Sequence, residues 1–381
     1  MGRHLLEQGD NIVHRGVTLP GTGSLAITFD ETGTVIGDVN ELSFLVLSGG
    51  TTSVNIASTG NIQFNFGQNE LPQIAETSNN LTTVTISGSV PFILGSETGV
   101  SNSGDGVVTD IAAKAASPTT IHSSLALIDA SATTFGVTIL AGATNTSGAG
   151  NFDNGASLNA NVTITYTGLT IKGGSGFFHR SDLIENDAKQ GVVIDGNGFN
   201  DQVILGGSGA KATLGTGSAD MVVVGSSNLG TNEAAGSALG DKVTFGAGAG
   251  AELFVGIGAE AGSTGFFGST SIGLTKVLGA AAGMQIDFVA ITGSSNIFDE
   301  TNTPGVASAK SLAAAEDAAI KALAEPGVAY FTFGTNEYFI ATDNIEKAVS
   351  PSDAIVKLVG ITHIHNATNI EGLVTLASCP G

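Results

Sequence analysis

The residues best placed to do chemistry are Asp182, Asp195, Asn197, Asp201 and Asp220, which stand beside glycine-rich corners in the middle of the chain. Gly173-Gly174-Ser175-Gly176 precedes Asp182-Leu183-Ile184. Asp195-Gly196-Asn197-Gly198 precedes Asn200-Asp201-Gln202-Val203. Gly206-Gly207-Ser208-Gly209 and Gly215-Thr216-Gly217 lead to Asp220-Met221-Val222. A tight glycine turn exposes backbone carbonyls and a neighbouring aspartate adds a carboxylate, which together make the all-oxygen cage that Ca2+ prefers. The nonapeptide G-G-x-G-x-D-x-U-x works in this way, and Gly198 and Gly217 lie about two nonapeptides apart. No copy is perfect. Phe177–Ser181 interrupts the first, Phe199 the second, and Ala210–Thr213 leaves the third without its acid. Two readings therefore stand: Ca2+ bound at one or more of these turns, or Gly/Asp corners of a β structure that hold no ion.

Other chemistry finds little support. The chain has no G-x-S-x-G elbow, H-E-x-x-H, C-x-x-C or phosphate loop, and Gly206-Gly207-Ser208-Gly209-Ala210-Lys211 has the wrong spacing for the last. His363-Ile364-His365 would place two imidazoles on one strand face, but no third ligand follows nearby. Asp299-Glu300 and Asp30-Glu31 read as solvated turn residues. The expectation is that the protein is not an enzyme. With 13 basic against 34 acidic residues the formal charge is −21, which disfavours nucleic acid as a partner and makes a divalent cation the natural counter-charge. Apolar runs such as Phe288–Ile291 are far shorter than the ~20 residues that cross a bilayer, so no membrane span is expected. A single cysteine, Cys379, excludes an intramolecular disulfide.

The elements that must position those aspartates are short strands. From residue 17 to about 170, runs such as Leu25–Phe29, Leu42–Leu47, Ser53–Ile56, Thr83–Ile86 and Val162–Tyr166 are closed by Gly, Ser, Asn or Asp, with turn signals recurring roughly every 8–12 residues. Alternation in Ile62, Phe64 and Phe66, and in Val162, Ile164 and Tyr166, puts each set on one buried face. From 171 to about 270 the strands shorten and glycine thickens, as in Gln202–Gly207, Met221–Gly225 and Glu252–Gly256. Strands of about four residues with Gly/Asn/Asp corners suggest a β-solenoid. Near the C-terminus Ser308–Leu323 predicts a helix, with Leu312, Ala315, Ala319 and Leu323 on one stripe, Glu316 and Asp317 beside it, and Pro326-Gly327 as the stop. Ala329–Phe333 and Glu337–Ala341, joined by Gly334-Thr335-Asn336, predict a hairpin; Ala354–Leu358 and Leu373–Leu376 predict further strands. Composition agrees with a folded, glycine-rich β protein: 55 Gly, 41% apolar residues and 12% charged residues against a usual charged fraction of roughly 25%.

Leu127–Ser131 with Gly136, then Val162–Ile164 leading into Leu169–Gly176, resemble the β-strand-repeat and RTX pattern of bacterial S-layer and related surface proteins exported by type I secretion. Residues 271–376 resemble the C-terminal domain often found in that group, through Met284–Phe288, the Ala-rich helix, Tyr330–Gly334 with Tyr338–Ile340, and Asp353–Gly360. The resemblance implies an extracellular, Ca2+-dependent, self-assembling structural protein with an uncleaved export signal near the C-terminus.

The expected fold is therefore all-β: an elongated β-sandwich or β-solenoid, RTX-like β-roll included, with one short helix in a C-terminal capping domain. Three regions follow, namely 1–160 of strand repeats, a Gly-rich solenoid over 161–270, and a C-terminal β domain over 271–381. The expected function is assembly into a cell-surface layer or filament, Ca2+-stabilised in the turns named above, with the chain itself as partner and cell-surface polysaccharide as a further candidate. The alternatives are a secreted adhesin or phage-like fibre that binds a host glycan or protein, and a polysaccharide-active enzyme on a β-helix.

Overall fold

The computed structural model describes residues 16–29, 39–41, 44–58, 63–65, 73–76, 78–89, 92–94, 107–108, 119–134, 136–141, 150–151, 157–158, 162–166, 168–174, 183–186, 193–195, 201–205, 211–215, 220–224, 242–246, 250–255, 275–288, 297–299, 304–323, 326–342, 354–361, 368–370 and 372–377. The chain divides into two compact units, Met1–Phe199 and Asn200–Gly381. Among the described residues both are mostly strand.

In the first unit the β-branched runs form parallel ladders. Thr22–Phe29, Gly50–Ser58, Thr83–Gly88, Leu127–Thr133, Thr170–Lys172 and Val193–Asp195 pair in sequence order. A second sheet takes Val39–Glu41, Gln63–Asn65, Phe92–Leu94, Val137–Ala141 and Leu183–Asn186, and a third takes Gly16–Leu19, Phe44–Leu47, Gln73–Glu76 and Val107–Val108. Successive strands of the chain thus serve different sheets. Period-2 alternation fixes the register, because a slip of one residue would turn every apolar side chain outward. Val54, Val84, Ile128 and Ile171 stack in one buried column, and Leu81, Leu125 and Leu169 are buried just before their strands. Each such side chain contributes about 1.5–3 kcal/mol of burial, which offsets the closure entropy of the long crossovers that parallel pairing requires.

Polar side chains close one corner of this unit. Ser48 Oγ accepts from the Gly21 N–H and donates to the Gly21 carbonyl, both at 2.8 Å. Asn80 Nδ2 donates to the Gly49 carbonyl at 2.7 Å. Asn79, at φ 58°, turns its Oδ1 to accept the Ser124 N–H at 2.7 Å. Glu76 is fully buried, yet both its oxygens are used: Oε1 accepts from the Ser78 N–H at 2.9 Å and Oε2 from the Asn80 N–H at 2.8 Å.

In the second unit Lys211–Thr213, Lys242–Thr244, Thr275–Leu278 and Ala354–Val359 are parallel neighbours. The sheet continues antiparallel through Asn336–Thr342 and Gly327–Phe333, with Ile297–Asp299 parallel at the end. The hairpin is the expected one: Phe333 faces Asn336 across Gly334-Thr335, and Gly334 takes the left-handed φ of 67° that the tight turn needs. Gln202–Leu205, Met221–Val224, Glu252–Val255 and Gln285–Asp287 form a second parallel set, closed antiparallel by Leu373–Thr375 and Thr368–Ile370. The helix runs over Leu312–Ala322 and is capped by Ser311, whose Oγ accepts the Ala314 N–H at 3.3 Å. The expected start at Ser308 is corrected, since a separate short turn, Pro304–Ala307, precedes the cap. Ala315, Ala319, Ile320 and Leu323 pack on Ala329, Phe331, Tyr338, Ile340 and Ile355, with Leu312 partly buried against them.

All-β is the fold class, with parallel and mixed sheets. The expected solenoid is corrected to these sheets, and no RTX-like β-roll is shown. A β-roll joins strands about two nonapeptides apart. Over the Gly-rich region Gln202 and Met221 are partners 19 positions apart, but Lys211 pairs with Lys242 and Met221 with Glu252, each 31 positions apart, so the coil length that a β-roll repeats is not kept.

Candidate functional site

Of the expected cation ligands, the structure brings Asp201 and Asp220 together. Each stands immediately before a strand, Gln202–Leu205 or Met221–Val224, and these strands are parallel neighbours. Both side chains are buried. The Asp201 N–H donates to Asp220 Oδ1 at 3.2 Å, the Met221 N–H donates to the Asp201 carbonyl at 2.7 Å, and the Glu252 N–H donates to the Asp220 carbonyl at 2.8 Å. Asp220 thus organises the backbone where its neighbour's strand begins, and the pair places two carboxylic acids in one polar layer of the sheet. Oxygen donors of this kind suit a hard cation such as Ca2+, which takes six to eight ligands. Among the described residues no group of three or more His, Cys, Asp or Glu side chains is gathered to hold a metal ion. Asp195 belongs to the first unit, at the end of Val193–Asp195, in register with Lys172. Asp182, Asn197 and the histidines of His363-Ile364-His365 lie outside the described residues.

Two rows of charged residues run across the strands at single register positions. In the first unit Asp129, Lys172 and Asp195 occupy one register position on adjacent parallel strands. Lys172 Nζ reaches Asp129 Oδ2 at 3.3 Å. Partial burial disfavours the Asp129 carboxylate, but Ser131, donating from Oγ at 2.6 Å and from N–H at 3.0 Å, together with Lys172 holds it below the usual carboxylate range.

In the second unit the equivalent kind of row is Lys211, Lys242, Lys276 and Lys357, each opposite the next. Sequence reasoning missed it, although a signal was present: Lys211–Gly215, Lys242–Gly246, Lys276–Gly279 and Lys357–Gly360 all run from a lysine through two or three apolar or Thr residues to a glycine. On the same sheet the row meets Tyr338, the register partner of Lys357, whose Nζ lies 5.7 Å from the tyrosine ring centroid. Tyr338 in turn stacks on Phe331, with centroids 5.5 Å apart.

Glu316 is the second feature that helical periodicity concealed. It turns under the helix, 1% exposed, and neither carboxyl oxygen has a hydrogen-bond partner. Burial, reinforced by the charge of Asp317, pushes its pKa up to about 7. Tyr338 below is raised too, by its own burial and then by the Glu316 charge, with Asn336 opposing. On the other sheet of the unit, partial burial and the Asp287 charge raise Glu252.

No protein-family model matches the chain, and no curated protein sequence matches it. No helix among the described residues is long and apolar enough to cross a membrane.

Proposed function

We propose that the chain is an extracellular structural protein of bacterial S-layer or RTX type that self-associates into a surface layer or filament, without catalysis of its own and with Ca2+ as its stabilising cation. The observation that carries this reading is the way the sheets of the first unit begin. The three largest start on strands drawn from residues 16–41, and among the described residues Gly16–Leu19, Thr22–Phe29 and Val39–Glu41 each pair along one edge only. Thr22–Phe29 has eight residues, no charge and no proline, so among the described residues the register shift between Gly23 and Ser24 in its ladder with Gly50–Ser58 is what blunts its edge. Its inward positions Leu25 and Ile27 are half-buried, whereas their register partners Val54 and Ile56 are fully buried. An edge of this kind pairs with another strand and completes the burial of the apolar column behind it.

Cations enter through the net charge of −21, which opposes close approach of copies until it is neutralised. Asp201 and Asp220, which adjacent strands bring together, are offered to Ca2+, with Asp182, Asp195 and Asn197 as the remaining proposed ligands. Electron microscopy of purified protein with Ca2+ and with chelator tests the reading. Sheets or filaments with Ca2+ support it, and dispersed monomers under both conditions overturn it.

A further inference from the structure

Lys211, Lys242, Lys276 and Lys357 sit on four successive parallel strands at one register position, on the face opposite the buried Ala212, Val243, Val277 and Leu358. Lys211 and Lys242 are exposed, and Lys276 and Lys357 are half-buried. With neighbouring strands about 4.8 Å apart, the row is a straight line of four positive charges roughly 14 Å long. Like charges directly opposite one another destabilise a sheet, and among the described residues none of the four forms an ion pair with a carboxylate. Solubility alone needs lysines on the surface, not lysines in register. In a chain with only 13 basic residues, placing four in one line points to a ligand with negative charges in a line.

We propose that this row binds a linear acidic polysaccharide with one carboxylate per sugar, laid across the strands. The charge repeat of such a polymer is of the same order as the strand spacing, so successive carboxylates meet successive ammonium groups. Two positions further along the strands' outward face stand Thr213, Thr244, Leu278 and Val359. Their hydroxyl and small apolar groups suit sugar hydroxyls and ring C–H faces. A second copy of the chain fits less well: among the described carboxylates, Asp129 is paired with Lys172, and Glu252 and Asp287 lie diagonally on neighbouring strands, so none makes a matching column. Single-stranded nucleic acid would need exposed aromatic platforms. The outward positions of these four strands carry none, and Tyr338 at the end of the row is buried. Its denser charge would also be repelled more strongly by a net −21 protein. The proposal stands whether or not the chain self-associates.

The test titrates the full-length chain onto immobilised alginate at low salt, with dextran as the uncharged glycan and oligo(dT) as the nucleic acid, comparing wild type with a Lys242→Gln/Lys276→Gln double variant. Wild type should bind alginate and not dextran, and lose affinity as NaCl is raised. The double variant should bind alginate more weakly by on the order of tenfold or more. Its melting temperature should be unchanged or higher, because the substitutions remove repulsion and leave the core intact. Absence of alginate binding, equal binding by the variant, equal binding to dextran, or tighter binding to oligo(dT) would each overturn the proposal.

Discussion

In the first unit Asp129, Lys172 and Asp195 make a cross-strand row of alternating charge, whereas in the second Lys211, Lys242, Lys276 and Lys357 make a row of one sign. The buried glutamates Glu76 and Glu316 differ in the same sense, whereas Glu337 of the second unit accepts from Thr332 Oγ1 at 2.7 Å. Glu76 spends both oxygens on backbone N–H groups, and Glu316, equally buried, spends neither. Identical side chains therefore do different work. Where the local backbone or a cross-strand partner answers a charge, the charge specifies the fold. Where nothing in the fold answers it, its free energy is available to protons or to a partner. Asp129 and Glu76 of the first unit show the former, and Glu316 with Lys211, Lys242 and Lys276 of the second show the latter.

The sharpest contrast is obtained by removing the two glutamates. Replacing Glu316 by Met deletes a carboxyl that must stay protonated to remain buried. Its folded-state pKa of about 7 lies above the ordinary glutamate value of 4.5, so between these the folded state holds a proton that the unfolded chain has released. Stability contributed through this group is therefore complete below about pH 4.5 and is lost as the pH rises through about 7, by about 3 kcal/mol in total. Asp317 and Tyr338 are the titratable groups that interact with it, and Lys357 lies over the Tyr338 ring. Denaturant titrations should show Glu316→Met more stable than wild type at pH 8 by up to about 3 kcal/mol, with the gap closing toward pH 4.5. A gap independent of pH would break the contrast.

Glu76→Ala should act with the opposite sign. It leaves the Ser78 and Asn80 N–H groups without their acceptor and should destabilise the protein by about 2 kcal/mol at neutral pH. If Glu76→Ala proved neutral, water would be serving those N–H groups and the first unit would be no better satisfied than the second.

Local features of this chain could be read from the sequence, and distant pairings could not. The hairpin was legible because Gly334-Thr335 separates two aromatic-rich strands that pair in immediate sequence. The apolar stripe of the helix was legible at Ala315, Ala319 and Leu323, since three- and four-residue spacing needs no knowledge of the partner. The burial of Glu316 was not, because helical periodicity puts it at the margin of the stripe and only the width of the sheet beneath decides that it is covered. Likewise Val54, Val84 and Ile128 look like separate short strands, and nothing local says that they stack in one column. The same gap hid the lysine row, whose members are separated by whole strands of the other sheet. Among the aspartates, Asp201 and Asp220 prove to be neighbours, at two strand starts 19 residues apart. Glycine spacing could not show that Asp195 lies opposite Lys172.

Self-association through the first strands is the claim on which the functional account depends. Ala26 and Thr28 lie on the exposed face of Thr22–Phe29, so Ala26→Lys with Thr28→Lys adds charge to the edge strand without touching its apolar positions. Sedimentation velocity over a range of protein concentrations in Ca2+ compares this variant with wild type most directly. The account predicts that wild type shifts to large species as concentration rises, while the variant stays monomeric with an unchanged melting temperature. A wild type that remains monomeric throughout, or a variant that assembles as wild type does, would contradict it.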